Sequence, residues 1–397
     1  MNTQIQQTPA AQPVSGGLPF LRMGFRPFYW GAALFAVAAM TLWQPVFFGQ
    51  LAPASGLAPV LWHGHEMLFG FAAAVIVGFL LTAGKAWTGL PTPTGASLGL
   101  LFALWASARL AALLAPYPVF FLLDVAFLPA VAALFIAILV RAGNTRNLKV
   151  GAVLALLAVA NLVFHLGAIG AVAVDPTRAL YAGLALIIVL ETIIGGRVIP
   201  AFTMNATPGL KLREASRRDH AGIVLGALGL ASWACGGPAL LSAVLLGAAA
   251  VLLAARWLAW APWVTLTRPI LWILHLSYAW IPIGLALLAA SQAGWIPASA
   301  GVHALAVGAT GGLIIAMVTR TARGHTGRPL AASPMETIAY LMVLIAALVR
   351  VVVPLAWPSL YLPALWGSGI LWVAAFVLYL VKYTSWLASP RLDGKDG

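Results

Sequence analysis

Twelve apolar runs, each near the roughly 20 residues that cross a bilayer as a helix, follow one another along the chain with short polar stretches between them. They cover 28–49, 62–83, 97–115, 118–140, 149–172, 177–199, 221–236, 239–260, 269–290, 299–320, 335–356 and 363–386. Apolar runs of that length predict an all-α fold, a polytopic membrane helix bundle of about 12 transmembrane helices. The seventh and eighth are the least separated, with only Gly236-Gly237-Pro238 between them. The longest connection, around 200–220, divides a single bundle over 21–388 into six helices and six. Small residues at helical spacing in the second run (Gly70, Ala74, Gly78) and the tenth (Gly308, Gly312) predict close helix approach there. A faint repeat runs through the same helices. Arg26-Pro27 and Trp30 open the first as Arg268-Pro269 and Trp272 open the ninth, and His65, Gly70 and Ile76 are spaced like His303, Gly308 and Ile314.

Composition agrees with a membrane solvent. Hydrophobic residues make up 62% of the chain and charged residues 8%, with a mean hydropathy of +0.98, which excludes a soluble protein. The net charge of +13 is a topology signal. With the amino terminus inside, every lysine and arginine except Arg109, Arg178 and Arg350 falls in an inner segment, as the positive-inside rule demands. Both termini are then cytoplasmic, and the charge is no nucleic-acid footprint. Residues 1–20 read as a disordered cytoplasmic tail without a signal peptide, and 389–397 as a short second tail. Trp62, Trp87, Trp260, Trp295 and Trp386 suit interfacial anchoring. The single cysteine, Cys235, excludes an internal disulfide, a cysteine-ligated cluster and thioether-linked haem.

Histidine carries the chemistry. Of seven histidines, His63, His65, His165, His275 and His303 lie in or at the ends of apolar runs, and His325 follows one closely. Imidazole in hydrocarbon is rare unless a metal, a haem iron or a proton path accompanies it. Helix rise places His63, His65, His165 and His303 in one outer layer, so a common site is geometrically allowed. His63 and His65 are two residues apart and point about 200° apart on a regular helix. Either His63 precedes the helix or the pair serves two centres on opposite sides. Glu66 can order an imidazole or carry protons.

Arg109 and Arg350 each lie about two turns inside the outer boundary and need an anion. Haem propionates would supply it, and Asp124 at similar depth is the competing partner. Deeper, His275 and Glu191 share a level that allows a His–Glu contact, an inner metal or proton site, or an axial ligand from the far side. His325, in Gly324-His325-Thr326-Gly327-Arg328-Pro329 near Arg320 and Arg323, suits an anion-binding or structural loop as well as a functional one. His220 reads as a solvated helix start.

Several of these stretches resemble the NnrS family of polytopic membrane proteins: Gly24-Phe25-Arg26-Pro27-Phe28, Trp62-His63-Gly64-His65-Glu66-Met67-Leu68-Phe69-Gly70-Phe71 and Asn161-Leu162-Val163-Phe164-His165-Leu166. Gly195-Gly196-Arg197-Val198-Ile199-Pro200-Ala201-Phe202-Thr203, Arg268-Pro269-Ile270-Leu271-Trp272 running into His275, and His303-Ala304-Leu305 running on to Gly324-His325-Thr326-Gly327-Arg328-Pro329 continue the resemblance to about residue 330. The resemblance implies a multi-pass protein of the bacterial cytoplasmic (inner) membrane. It also implies haem b and copper, synthesis in response to nitric oxide, and protection against nitrosative stress. The family's histidine positions fall on His63, His65, His165, His275, His303 and His325. Their division between haem and metal is open.

Three functions follow. The first is a haem and copper protein that binds nitric oxide and reduces it to nitrous oxide, an oxidoreductase with quinol as donor. Glu66 and Glu191 would deliver protons, and Arg109 and Arg350 would hold propionates. The second is a nitric oxide scavenger, sensor or metal-handling protein without turnover. The third is a secondary transporter, favoured by two sets of six helices. Against it, Lys85-Ala86-Trp87-Thr88-Gly89 lacks the acidic–basic signature of the major facilitator fold. The absence of a His-His pair excludes an ordinary haem–copper oxidase.

Overall fold

A computed structural model describes residues 17–395. Helix follows helix, with no strand among the described residues: α1 Phe25–Phe47, α2 Pro59–Thr88, α3 Gly95–Leu114, α4 Tyr117–Arg141, α5 Thr145–Ala168 and α6 Pro176–Ala206. The second half holds α7 Arg217–Ala234, α8 Ala239–Leu258, α9 Pro269–Gln292, α10 Ala298–His325, α11 Pro334–Ala356 and α12 Tyr361–Ala388. All except α7 are long and apolar enough to cross a membrane. The shorter α7 opens on Arg217, Arg218 and Asp219.

Local chemistry sets the helix ends. Proline opens α2, α6, α9 and α11, where its missing N–H costs nothing. Ser216 with Asp219 and Ser333 with Glu336 form capping boxes on α7 and α11. Gly89 ends α2 at φ 72°, a left-handed position that suits glycine. Leu100, Leu110, Leu122, Leu240, Val251 and Ile370 are exposed around the outside, as a lipid-facing surface requires.

The bundle closes on itself. The buried Arg26 of α1 donates to the carbonyls of Leu387 (2.7 Å) and Ser389 (2.8 Å), so the first helix seals the carboxyl end of the last. The small-residue stripes act as expected. Gly78 sits against Phe28 and Tyr29 of α1, and Gly308 and Gly312 sit against Trp280 and Ser277 of α9. The repeat has a backbone counterpart. A π-helical stretch begins immediately after His65 (Glu66–Ala72) and another immediately after His303 (Ala304–Gly311). Such widened turns are rare and concentrate at functional sites.

Short parts of both end segments are described. Residues 1–16 lie outside the described residues. Pro19–Leu21 form a 3-10 turn, with Phe20 packed on Trp30 and Phe102. At the other end Leu392 donates to the Thr326 carbonyl and Arg391 to that of His325. Arg391 also pairs with Asp393 at 2.6 Å and holds that carboxyl well below the ordinary carboxylate range. Aromatic packing and these polar contacts tie both segments to the bundle.

A Cβ on Gly308 would lie 2.4 Å from the Trp280 ring, whereas one on Gly367 meets only Val349 at 3.9 Å. Gly308→Val should therefore cost about 1–3 kcal/mol through overpacking, read as a lowered Tm in detergent. Gly367→Ala should leave the Tm unchanged.

Candidate functional site

The His63-Gly64-His65 pair opens onto two places. His65 points into a buried polar cluster between α2, α3, α4 and α5. Its Nδ1 donates to Glu66 Oε1 at 2.8 Å. Its Nε2 lies 3.0 Å from Asn161 Oδ1 and 3.2 Å from Asp124 Oδ2. His165 brings its own Nε2 to the same Asp124 oxygen at 3.0 Å, and its Nδ1 meets the Tyr117 hydroxyl at 2.9 Å. Asn161 Nδ2 donates to that oxygen as well, at 2.6 Å. Arg109 spans the two acids, donating to Glu66 at 2.7 Å and pairing with Asp124. His65, Glu66, Arg109, Asp124, Asn161 and His165 are all buried.

The charges in this cluster do not sum to zero. Two carboxylates face one guanidinium, and with neutral imidazoles the cluster lacks one positive charge. Because His65 Nδ1 donates to Glu66, a neutral His65 turns its Nε2 lone pair toward Asp124 Oδ2 and Asn161 Oδ1. An added proton or a metal cation resolves both problems. One ligand atom from each of His65, Asp124 and His165 lies within 4.8 Å of the others, the span of a metal site. Glu66 and Tyr117 order the far ring nitrogens, as partners of ligating histidines usually do.

His63 points the other way. Its ring stacks on Trp43 (4.2 Å between centroids, 23°), and its Nδ1 is buried without a partner among the described residues. It lines a cavity of about 330 Å³ together with His303, Arg350, Tyr361, Thr310 and Trp372. His303 Nδ1 donates to the Ser299 carbonyl at 2.7 Å, which fixes the tautomer and leaves Nε2 with its lone pair. Arg350 is buried, and its guanidinium stacks over Tyr361 with the centroid 5.5 Å away. No carboxylate pairs with it among the described residues.

The one common outer site allowed by depth is thus two sites. The first holds His65 and His165, the second His63 and His303, because side chains two apart on a helix diverge. Of the two partners left open for Arg109, a propionate and Asp124, the structure gives Asp124 and adds Glu66, whose charges satisfy it inside the chain. Arg350 remains beside a cavity. His275 and Glu191 share a depth but have different partners. His275 Nε2 meets Thr203 Oγ1 at 2.9 Å, and Glu191 Oε2 accepts from Thr310 at 3.2 Å. His325 packs on Phe25 at the opposite end of α10 (5.4 Å), where its carbonyl accepts from Arg391. His220 is exposed and caps nothing beyond the Ser216 carbonyl.

Asn161 and Tyr117 were not singled out by sequence, although each left a signal. Asn161 precedes His165 by four residues, one helical turn on the same face, and Tyr117 precedes Asp124 by seven.

A family model described as NnrS protein matches residues 19–391. No curated protein matches the chain.

Arg109→Met would strand two carboxylates in hydrocarbon and should cost about 3–5 kcal/mol. Adding Glu66→Gln should recover part of that loss, and the pair can be compared by thermal unfolding in detergent.

Proposed function

Since the chain belongs to the NnrS protein family, a family linked to the nitric oxide response, we propose that it is a haem and copper membrane protein that binds nitric oxide and reduces it to nitrous oxide. Arg350 carries the reading. In one half of the repeat Arg109 is answered by Glu66 and Asp124. In the other, Arg350 faces a cavity of about 330 Å³ with no acid paired to it among the described residues. A buried guanidinium requires an anion, so the cavity suits a ligand that brings its own carboxylates. His63 and His303 line the same cavity, one with an unpartnered ring nitrogen and one with a fixed tautomer. This set fits haem b, with the histidines toward iron and Arg350 toward a propionate.

Bound there, haem would supply an iron centre for nitric oxide and a one-electron couple. The chain's part is to orient imidazoles, exclude water and move protons. Trp43 stacks His63 in place, and the Ser299 carbonyl aims His303. Copper suits the other cluster, where His65, His165 and Asp124 offer two nitrogens and an oxygen and the charge deficit favours a cation. Joining two nitric oxide molecules into nitrous oxide and water consumes two electrons and two protons. A quinol in the bilayer is the proposed electron donor. Glu191, bonded to Thr310 on the cavity wall, is the carboxylate best placed to hand protons to that cavity. Glu66 is tied to His65 and Arg109, and its role is to order the metal ligand.

His63→Ala and His303→Ala should each remove most of the Soret absorbance while sparing copper. His65→Ala and His165→Ala should remove copper, by elemental analysis, while sparing haem. Four variants with full cofactor loading would sink the assignment. Arg350→Leu should release haem during purification far more readily than Arg350→Lys. Anaerobic nitric oxide consumption with a quinol donor separates turnover from scavenging, and a colourless folded protein would return transport to the front.

A further inference from the structure

Below the histidine cavity lies a second, smaller space of about 90 Å³, lined by α1, α2, α6, α9 and α10. Its lining is apolar except for the Tyr29 phenol and Glu191. Thr310 joins the two spaces, since it lines the upper one and donates to Glu191, which lines the lower. On the other side, Tyr379 of α12 lies within electrostatic range of Tyr29, and its hydroxyl is buried without a partner. The Tyr29 hydroxyl is also buried, with Thr321 beside it but no hydrogen bond of good geometry. Tyr379 stacks almost parallel on Tyr383 (4.5 Å, 15°), and Tyr383 donates to Glu336. Glu336 is held by Arg323 (2.7 and 2.6 Å) at the end of the bundle where α11 begins, with Lys382 close by.

Buried hydroxyls in native proteins almost always have a partner. Two phenols without a partner among the described residues, Tyr29 lining the cavity and Tyr379 behind it, call for ordered water, and a space of about 90 Å³ has room for it. We infer that Glu336, Tyr383, Tyr379, Tyr29 and Glu191, bridged by water where they do not meet directly, form a proton path from the basic end of the bundle to Thr310 and the histidine cavity. Each oxygen accepts a proton from below and passes its own upward, and each hydroxyl then turns back, so no net charge stays on the column. The consumer rests on the proposed nitric oxide reduction, which takes two protons per nitrous oxide formed. Core packing alone explains the rings of this column. It does not explain two hydroxyls without partners or a carboxylate set between two cavities.

Two measurements on the full chain test the path. An experimental map that resolves ordered solvent should show water linking Tyr379, Tyr29 and Glu191, and a dry lower cavity overturns the inference. Tyr29→Phe and Tyr379→Phe each remove one oxygen and keep the ring, and Glu191→Gln removes the acid. In proteoliposomes with a pH dye, each should slow proton uptake during nitric oxide turnover at least about tenfold, with the haem spectrum unchanged. Wild-type uptake in all three overturns the path. A preparation without haem sinks the functional reading instead, and the solvent map still decides the column.

Discussion

A guanidinium buried in a bilayer has to be met by an anion, and that requirement organises the histidine-bearing end of this bundle. Arg109 satisfies it inside the chain by gathering Glu66 from α2 and Asp124 from α4. The same two acids orient His65 and His165, so one electrostatic constraint holds four helices and two imidazoles in register. Arg350 faces the same constraint with a cavity in place of acids. The contrast between the two arginines says more about function than either does alone.

Backbone geometry and symmetry support that contrast. Both π-helical stretches begin one residue after a histidine, at positions the sequence repeat equates. At the place of Glu66 in the second copy stands Ala304. One copy thus keeps its carboxylate and forms a closed polar cluster, while the other carries a small apolar residue and opens a space. A duplicated frame with acids in one half and a cavity in the other is a simple route to two unlike sites within one membrane domain.

Much of this was legible in the residues. Apolar run lengths located all twelve helices, though α6 extends to Ala206 where the run suggested 199, because Pro200 sits within the helix without ending it. The angle between His63 and His65 already ruled out one shared centre on a regular helix, leaving two centres or a His63 ahead of the helix. The fate of Arg109 was left open between a propionate and Asp124, since depth along separate helices gives no azimuth. The pairing of His275 with Thr203 and of Glu191 with Thr310 was illegible for the same reason: equal depth does not mean the same face.

The sequence by itself determined how many helices form, which residues lie at which depth, and that buried imidazoles and arginines must find partners. Those follow from periodicity and from the cost of charge in hydrocarbon, both local properties of the chain. Only the tertiary structure decided which partner each one found, which arginine was answered from within, and where space was left. Rotation of each helix about its axis is set by packing against its neighbours, and no stretch of a single helix contains that information.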